Sequence, residues 1–444
     1  MREYFSEIKE ILSNVLKSKT VQGYDTANLI TELESIENSY DKLFIFSEKL
    51  ADIPYRKDWK YVEPDDYKSI LKECDKNRSV VQKDYSDKDA VKDKIKTAFY
   101  SSVCGCILGK PLEEFPLPDL YEMKDSLRKS DSWPLNDYVS VNTLEHLGRR
   151  NISWTETTKN NINFVAEDDD ITYTIIGMLL LETKGINFTK KDIKKIWIEN
   201  LPIYSVWGPE RTILLKSGLS SLFPNNDYNI DSWPDFLNPG DELCGALIRA
   251  DAYGYACPGN PELAAKLAYN DSSFTHRKTG IYGSMFIAAA ISTAFFEKDP
   301  MKIFENALKY IPQKSRFYQI AEDSLNKITS AKDWESGYDL IHNKYKKYGA
   351  CQIYQEIGTV MNTLKFAENI GDGICKQVMQ GNDTDSFGAT CGSLLGAYFG
   401  PEYLESRWLE VFNDDIYTSL SNFKERKLSK IAERMANLPE IIQK

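Results

Sequence analysis

The chain has 444 residues, of which 42% are hydrophobic and 27% charged, too apolar for a disordered polypeptide and ordinary for a folded one. Its 66 acidic and 55 basic side chains leave a net charge of −11, a surface that repels phosphate backbones, so nucleic acid is not expected as a general partner, a local basic groove aside. At roughly 150 residues per domain the length allows two or three domains, or one large fold.

The opening stretch MREYFSEIKEILSNVLKSK carries charge in every turn and lacks an apolar core followed by a cleavage site. No targeting signal is expected, and the chain reads as cytoplasmic. Phe5, Ile8, Leu12 and Val15 recur at helical spacing, with Gly23 as a stop. Asp25 or Thr26 can cap a second helix carrying Leu29, Leu33, Ile36, Tyr40, Leu43 and Leu50 on one stripe. A hairpin packed on the main body fits that stripe; a short coiled-coil seam is the alternative. Ala51 to Asp66, with two prolines, reads as an extended strap pinned by Tyr55, Trp59 and Tyr61. The hydrophilic run Lys72 to Lys94 then marks a boundary, giving an N-terminal helical extension over 1–90 and a main domain over 91–444.

From Val91 onward the pattern is helical almost throughout. Helices are expected at Ile171–Glu182, after a capping box at Thr189 and Asp192, and at Pro261–Tyr269, Ile281–Phe296, Met301–Tyr310 and Phe387–Phe399. The Ile281–Phe296 run contains Gly283, Ser284, Ser292 and Thr293 and falls short of the ~20 residues that span a bilayer, so no membrane partner is expected. Alternating strand runs are scarce. The fold class is all-α, with too many helices for a four-helix bundle.

Three segments have a composition wrong for packing alone. Glu167-Asp168-Asp169-Asp170 precedes the apolar helix ITYTIIGMLLLE. One or two acids suit the helix dipole at ~0.3–1 kcal/mol each; four in a row suggest a neutralising cation. Gly381-Asn382-Asp383-Thr384-Asp385-Ser386 leads into a helix with Gly388, Gly392, Gly396 and Gly400 at four-residue spacing. Asp383 and Asp385 can reach one ion only from a loop or helix start. Each interior glycine costs ~1 kcal/mol relative to Ala, which close approach of a neighbouring helix would explain. Cys104-Gly-Cys-Ile-Leu-Gly-Lys-Pro-Leu-Glu113 has Gly105 and Gly109 four apart and ends at Glu113, past a helix-terminating Pro111.

Three histidines and eight scattered cysteines, with Cys104 and Cys106 too close for a zinc knuckle, make imidazole–sulfur zinc sites unexpected and point to reduced thiols. Carboxylate and hydroxyl oxygens suit hard cations. The residues alone therefore indicate a helical protein holding one or two hard cations.

The segments CGCILGKPLE, EDDDITYTIIGMLLLE and GNDTDSFGATCGSLLGAYFG, with IRADAYGYACPGNPELAAKLAYNDSSFTHRKTGIYGSMFIAAAI between them, resemble in order the motifs of the ADP-ribosyl-glycohydrolase family. The resemblance spans roughly residues 95–400. It implies a large, orthogonal multi-helical domain that hydrolyses the N- or O-glycosidic bond of ADP-ribosylated proteins or small molecules. It also implies a site for two Mg²⁺ or Mn²⁺ ions. Carried over by position, Glu167, Asp168, Asp169, Asp383, Asp385 and Ser386 are metal ligands, and Glu113, Asp168 and Asp169 are catalytic. Gly245, His276, Tyr282, Gly283 and Gly381 line the ADP-ribose cleft. Glu167 and Asp170 stand where threonines are usual, and the aspartate pair could instead be Asp169 and Asp170. The expected partner is an ADP-ribosylated protein or ADP-ribose derivative bound by a monomer. The alternative is a non-hydrolytic ADP-ribose-binding or structural protein of the same fold.

Overall fold

Two glycine-bearing helices meet backbone to backbone at the centre of the molecule. In the computed structural model, which describes residues 4–79, 87–221 and 229–443, the Lys88–Gly109 helix lies against the Thr384–Phe399 helix. A Cβ on Gly105 would stand 2.1 Å from the Gly388 carbonyl oxygen, and one on Gly392 would stand 2.1 Å from that of Ser101. Only hydrogen fits between the chains at these points, which is why the costly glycine spacing exists. At the end nearest the acids, Gly109 presses on the Thr384 carbonyl, and the Thr384 hydroxyl donates to the Gly109 carbonyl at 2.9 Å. The start of one helix and the end of the other are thereby locked together.

Around this pair the structure is all-α, with no strand among the described residues and only isolated bridges. The Thr279–Ala294 helix is buried along almost its whole length and packs on Pro261–Ser272, Asp251–Ala256 and Pro300–Ala307. That explains its largely apolar composition: it is a core helix, and no helix among the described residues is long and apolar enough to cross a membrane. The Asp169–Lys184 helix ends at Gly185, whose φ is +60°. Thr189 and Asp192 form the expected capping box of Lys190–Asn200.

The first helix runs Phe5–Val21, but the single second helix expected over residues 29–50 is two helices, Leu29–Ser35 and Tyr40–Lys49. Ile36 turns extended, and its freed carbonyl accepts the Lys9 ammonium. The apolar stripe continues across the break because both pieces face one small core with Leu12, Val15 and Leu16. The strap beyond is anchored by rings. Tyr55 stacks on Tyr24 with centroids 4.5 Å apart, and the Trp59 ring lies under the Arg316 guanidinium. Arg316 pairs with Glu63 (2.9 Å) and Glu242 (2.5 Å), tying the strap to the main body. The boundary expected at Lys72–Lys94 reaches into residues 80–86, outside the described residues.

Candidate metal centre

The helix lock sets the site. Asp168 is the N-cap of the Asp169–Lys184 helix: one carboxylate oxygen accepts the Asp170 N–H at 2.8 Å, and the other takes the Lys110 ammonium at 2.5 Å. Burial opposes its charge, yet Lys110 and that N–H hold its carboxyl below the ordinary aspartate range. Asp170, 2% exposed, has neither oxygen partnered, and Cys106, Asp168 and Asp170 place ligand atoms within 4.8 Å of one another. Burial and the adjacent Asp168 and Asp169 push the Asp170 carboxyl well above its usual range. Two unpartnered carboxylate oxygens in a dry interior are costly without a proton or a cation.

Facing them, Glu113, Asp383 and Asp385 form a second group, again within 4.8 Å. Asp383 begins the Thr384–Phe399 helix and is buried, with Oδ1 unpartnered. Glu113 follows the short turn Lys110–Leu112 that ends the Lys88–Gly109 helix and remains half-buried. Burial, then the Asp383 carboxylate, push its carboxyl up to about 7, against a hydrogen bond from Asp385. Asn151 orients it by donating to its carbonyl at 2.9 Å and to its carboxyl at 3.4 Å. The two groups share one field. Burial raises the Asp385 carboxyl, and Glu113, Asp168 and Asp383 raise it further, while Lys110 acts on both sides.

Among the residues expected from sequence, the structure brings together Glu113, Asp168, Asp383 and Asp385. Asp169 is half-buried beside them, where burial and Asp168 push its carboxyl well up. Ser386 is buried one residue on, its N–H donating to Asp385 at 3.0 Å. Glu167, expected among the ligands, is exposed and lies outside both groups, because the chain reaches the helix only at its N-cap, Asp168. Gly381, with φ +74°, lets the acid loop pass within reach of the Pro118 carbonyl, which accepts the Asn382 N–H at 2.8 Å. Gly245 faces the Glu210 carboxylate, and Gly283 faces Ile353 and Leu247. His276 and Tyr282, which the resemblance puts on the cleft wall, are both 0% exposed. His276 Nδ1 lies 2.7 Å from the Thr275 hydroxyl, and Tyr282 donates to the Pro64 carbonyl at 2.6 Å.

Sequence reasoning missed four neighbours. Lys110 bears no signal beyond its place before Pro111, and Cys106 was set aside on spacing. Cys244 and Cys351, distant in the chain, converge with Asp383, so scattered cysteines did not mean separated thiols. The hollow of about 490 Å³ between Trp133 and Trp334 is lined by none of these acids.

An all-helical fold whose acids converge from two helix starts defines a class: helical proteins with an oxygen-rich candidate cation site at a locked helix crossing. The chain belongs to the ADP-ribosylglycohydrolase family, which it matches over residues 87–440, so a glycosyl hydrolase is the class of enzyme the family supports. A solved structure described as an ADP-ribosylglycohydrolase-related protein complex is similar at 15% identity and a TM-score of 0.48, covering 80% of this chain and 99% of that one. Comparison with curated proteins gives no match.

Proposed function

We propose that this chain is a divalent-cation-dependent hydrolase that cleaves the N- or O-glycosidic bond of ADP-ribosylated proteins or small molecules and releases ADP-ribose. The observation that carries the reading is the convergence of Asp168 and Asp170 with Glu113, Asp383 and Asp385 in one buried field, with three carboxylate oxygens left unpartnered. The carboxylate donors suit Mg²⁺ or Mn²⁺, and the two facing groups, one of which also holds the Cys106 thiol, offer places for two ions. The residues that would hold them are Asp168, Asp169, Asp383, Asp385 and Ser386, joined by Asp170. When bound, such ions supply Lewis acidity toward water and sugar hydroxyls. Glu113, half-open and oriented by Asn151, carries the proton between water and leaving group as the ribose C1 passes through an oxocarbenium-like state.

Incubation with arginine- and serine-linked ADP-ribosyl substrates, with Mg²⁺, with Mn²⁺ and with chelator, tests this. Cation-dependent ADP-ribose release is expected, and Asp383→Ala or Asp385→Ala should abolish it while circular dichroism stays unchanged. Release that persists in these variants or after chelation contradicts the scheme, and AMP as product would mean phosphoesterase chemistry.

One observation favours a second reading, a non-hydrolytic ADP-ribose-binding protein. The Lys110 ammonium already neutralises Asp168 at 2.5 Å, occupying an oxygen a cation would take. Binding of ADP-ribose with no release on any linkage, in the presence of either metal, would select it.

A further inference from the structure

Eight free cysteines are present, and Cys244 and Cys351 are the two that are only partly buried. They come from different segments. Cys244 starts the short turn Cys244–Ala246, and Cys351 lies in a loop whose backbone is left-handed at Cys351 (φ +63°) and Ile353 (φ +58°). Both thiols point at the same atom: Cys244 Sγ lies 3.5 Å and Cys351 Sγ 3.3 Å from Asp383 Oδ2, and all three ligand atoms lie within 4.8 Å of one another. Two further facts mark the spot as built for more than packing. Asp383, 4% exposed, leaves Oδ1 without a partner. Behind Cys351, the buried Glu356 accepts the Cys351 N–H at 3.0 Å and leaves its second oxygen unpartnered.

We propose that Cys244, Cys351 and Asp383 form a further site for a thiophilic divalent cation, zinc in particular, beside the carboxylate centre. Tetrahedral zinc with bonds of about 2.3 Å to sulfur and about 2.0 Å to oxygen sets its sulfur and oxygen ligands about 3.5 Å apart. The two observed sulfur–oxygen separations match that edge. Thiolate donors select zinc over magnesium or manganese, whereas the neighbouring carboxylates have the opposite preference. Glu356 orients the Cys351 backbone as an outer partner. Asp383 is common to both sites, so zinc held here withdraws Oδ2 from the carboxylate centre; that consequence alone rests on the proposed hydrolase reading.

The test is independent of activity. Reduced full-length protein is titrated with Co²⁺, read by sulfur-to-cobalt absorption, and then with Zn²⁺ as competitor. Wild type should develop thiolate–cobalt absorption at one ion per chain and lose it to zinc. Cys244→Ser and Cys351→Ser should each abolish it with unchanged circular dichroism. As a second measurement, zinc should protect both thiols of the wild type from alkylation. Absence of the absorption in wild type, its persistence in both serine variants, or alkylation unaffected by zinc overturns the proposal.

Discussion

Asp251 is 1% exposed, and its carboxylate meets only hydroxyls, those of Ser393 and Ser102, with Oδ1 unpartnered. Tyr255, sharing Ser393, is its titratable neighbour. Burial pushes the Asp251 carboxyl up to about 7. The folded chain therefore keeps a proton that the unfolded chain gives up near pH ~3.9. Stability from this group is complete below that pH, falls as pH rises toward 7, and levels off above it. Asp251→Asn, which still bonds both serines, should flatten the decline of the urea midpoint between pH 5 and pH 8; an unchanged slope would count against this account. At the same scale, the acid runs were legible because four adjacent carboxylates, or aspartates two apart at a helix start, are poor packing choices. Which acids face inward was not legible. The N-cap bond of Asp168 turns Asp170 inward and leaves Glu167 in solvent, a fact of backbone direction that composition does not record.

The helices themselves carry a sharper test. Gly392→Ala gains ~1 kcal/mol of helix propensity, but its Cβ would stand 2.1 Å from the Ser101 carbonyl oxygen. Backbone cannot rotate away as a side chain can, so an overpacking penalty of ~1–3 kcal/mol or more should win. Chemical denaturation should show net destabilisation, and Mn²⁺ affinity should fall with it because the shifted helix carries Asp385; a stabilised variant would refute the close-contact reading. Regular spacing made this crossing legible. The break at Ile36 was not, because both halves of the expected helix keep their apolar residues on one face and the pattern runs on through Glu37, Asn38 and Ser39.

Across the molecule, the segment before residue 87, where the family match starts, is fastened to the main body by buried charge. Arg316, 7% exposed, binds Glu63, Glu242 and the Val21 carbonyl at once, and Gln22 donates to Asp241 at 2.7 Å. Removing one member leaves buried carboxylates uncompensated, a loss of about 3–5 kcal/mol. Arg316→Met should therefore speed limited proteolysis of the N-terminal segment; unchanged cleavage would show the strap is held by its aromatic stacking alone. The rings of this strap were legible as anchors, whereas their partners, contributed from Arg316 and Lys278, depended on the fold.

The proposed function rests on one arrangement, the facing acids at the helix crossing. Anomalous diffraction from crystals grown with Mn²⁺ tests it most directly. Manganese is expected between the Asp168–Asp170 segment and Asp383 and Asp385, with carboxylate oxygens from both. Manganese bound only elsewhere, with Lys110 still the sole cation at Asp168, would contradict it.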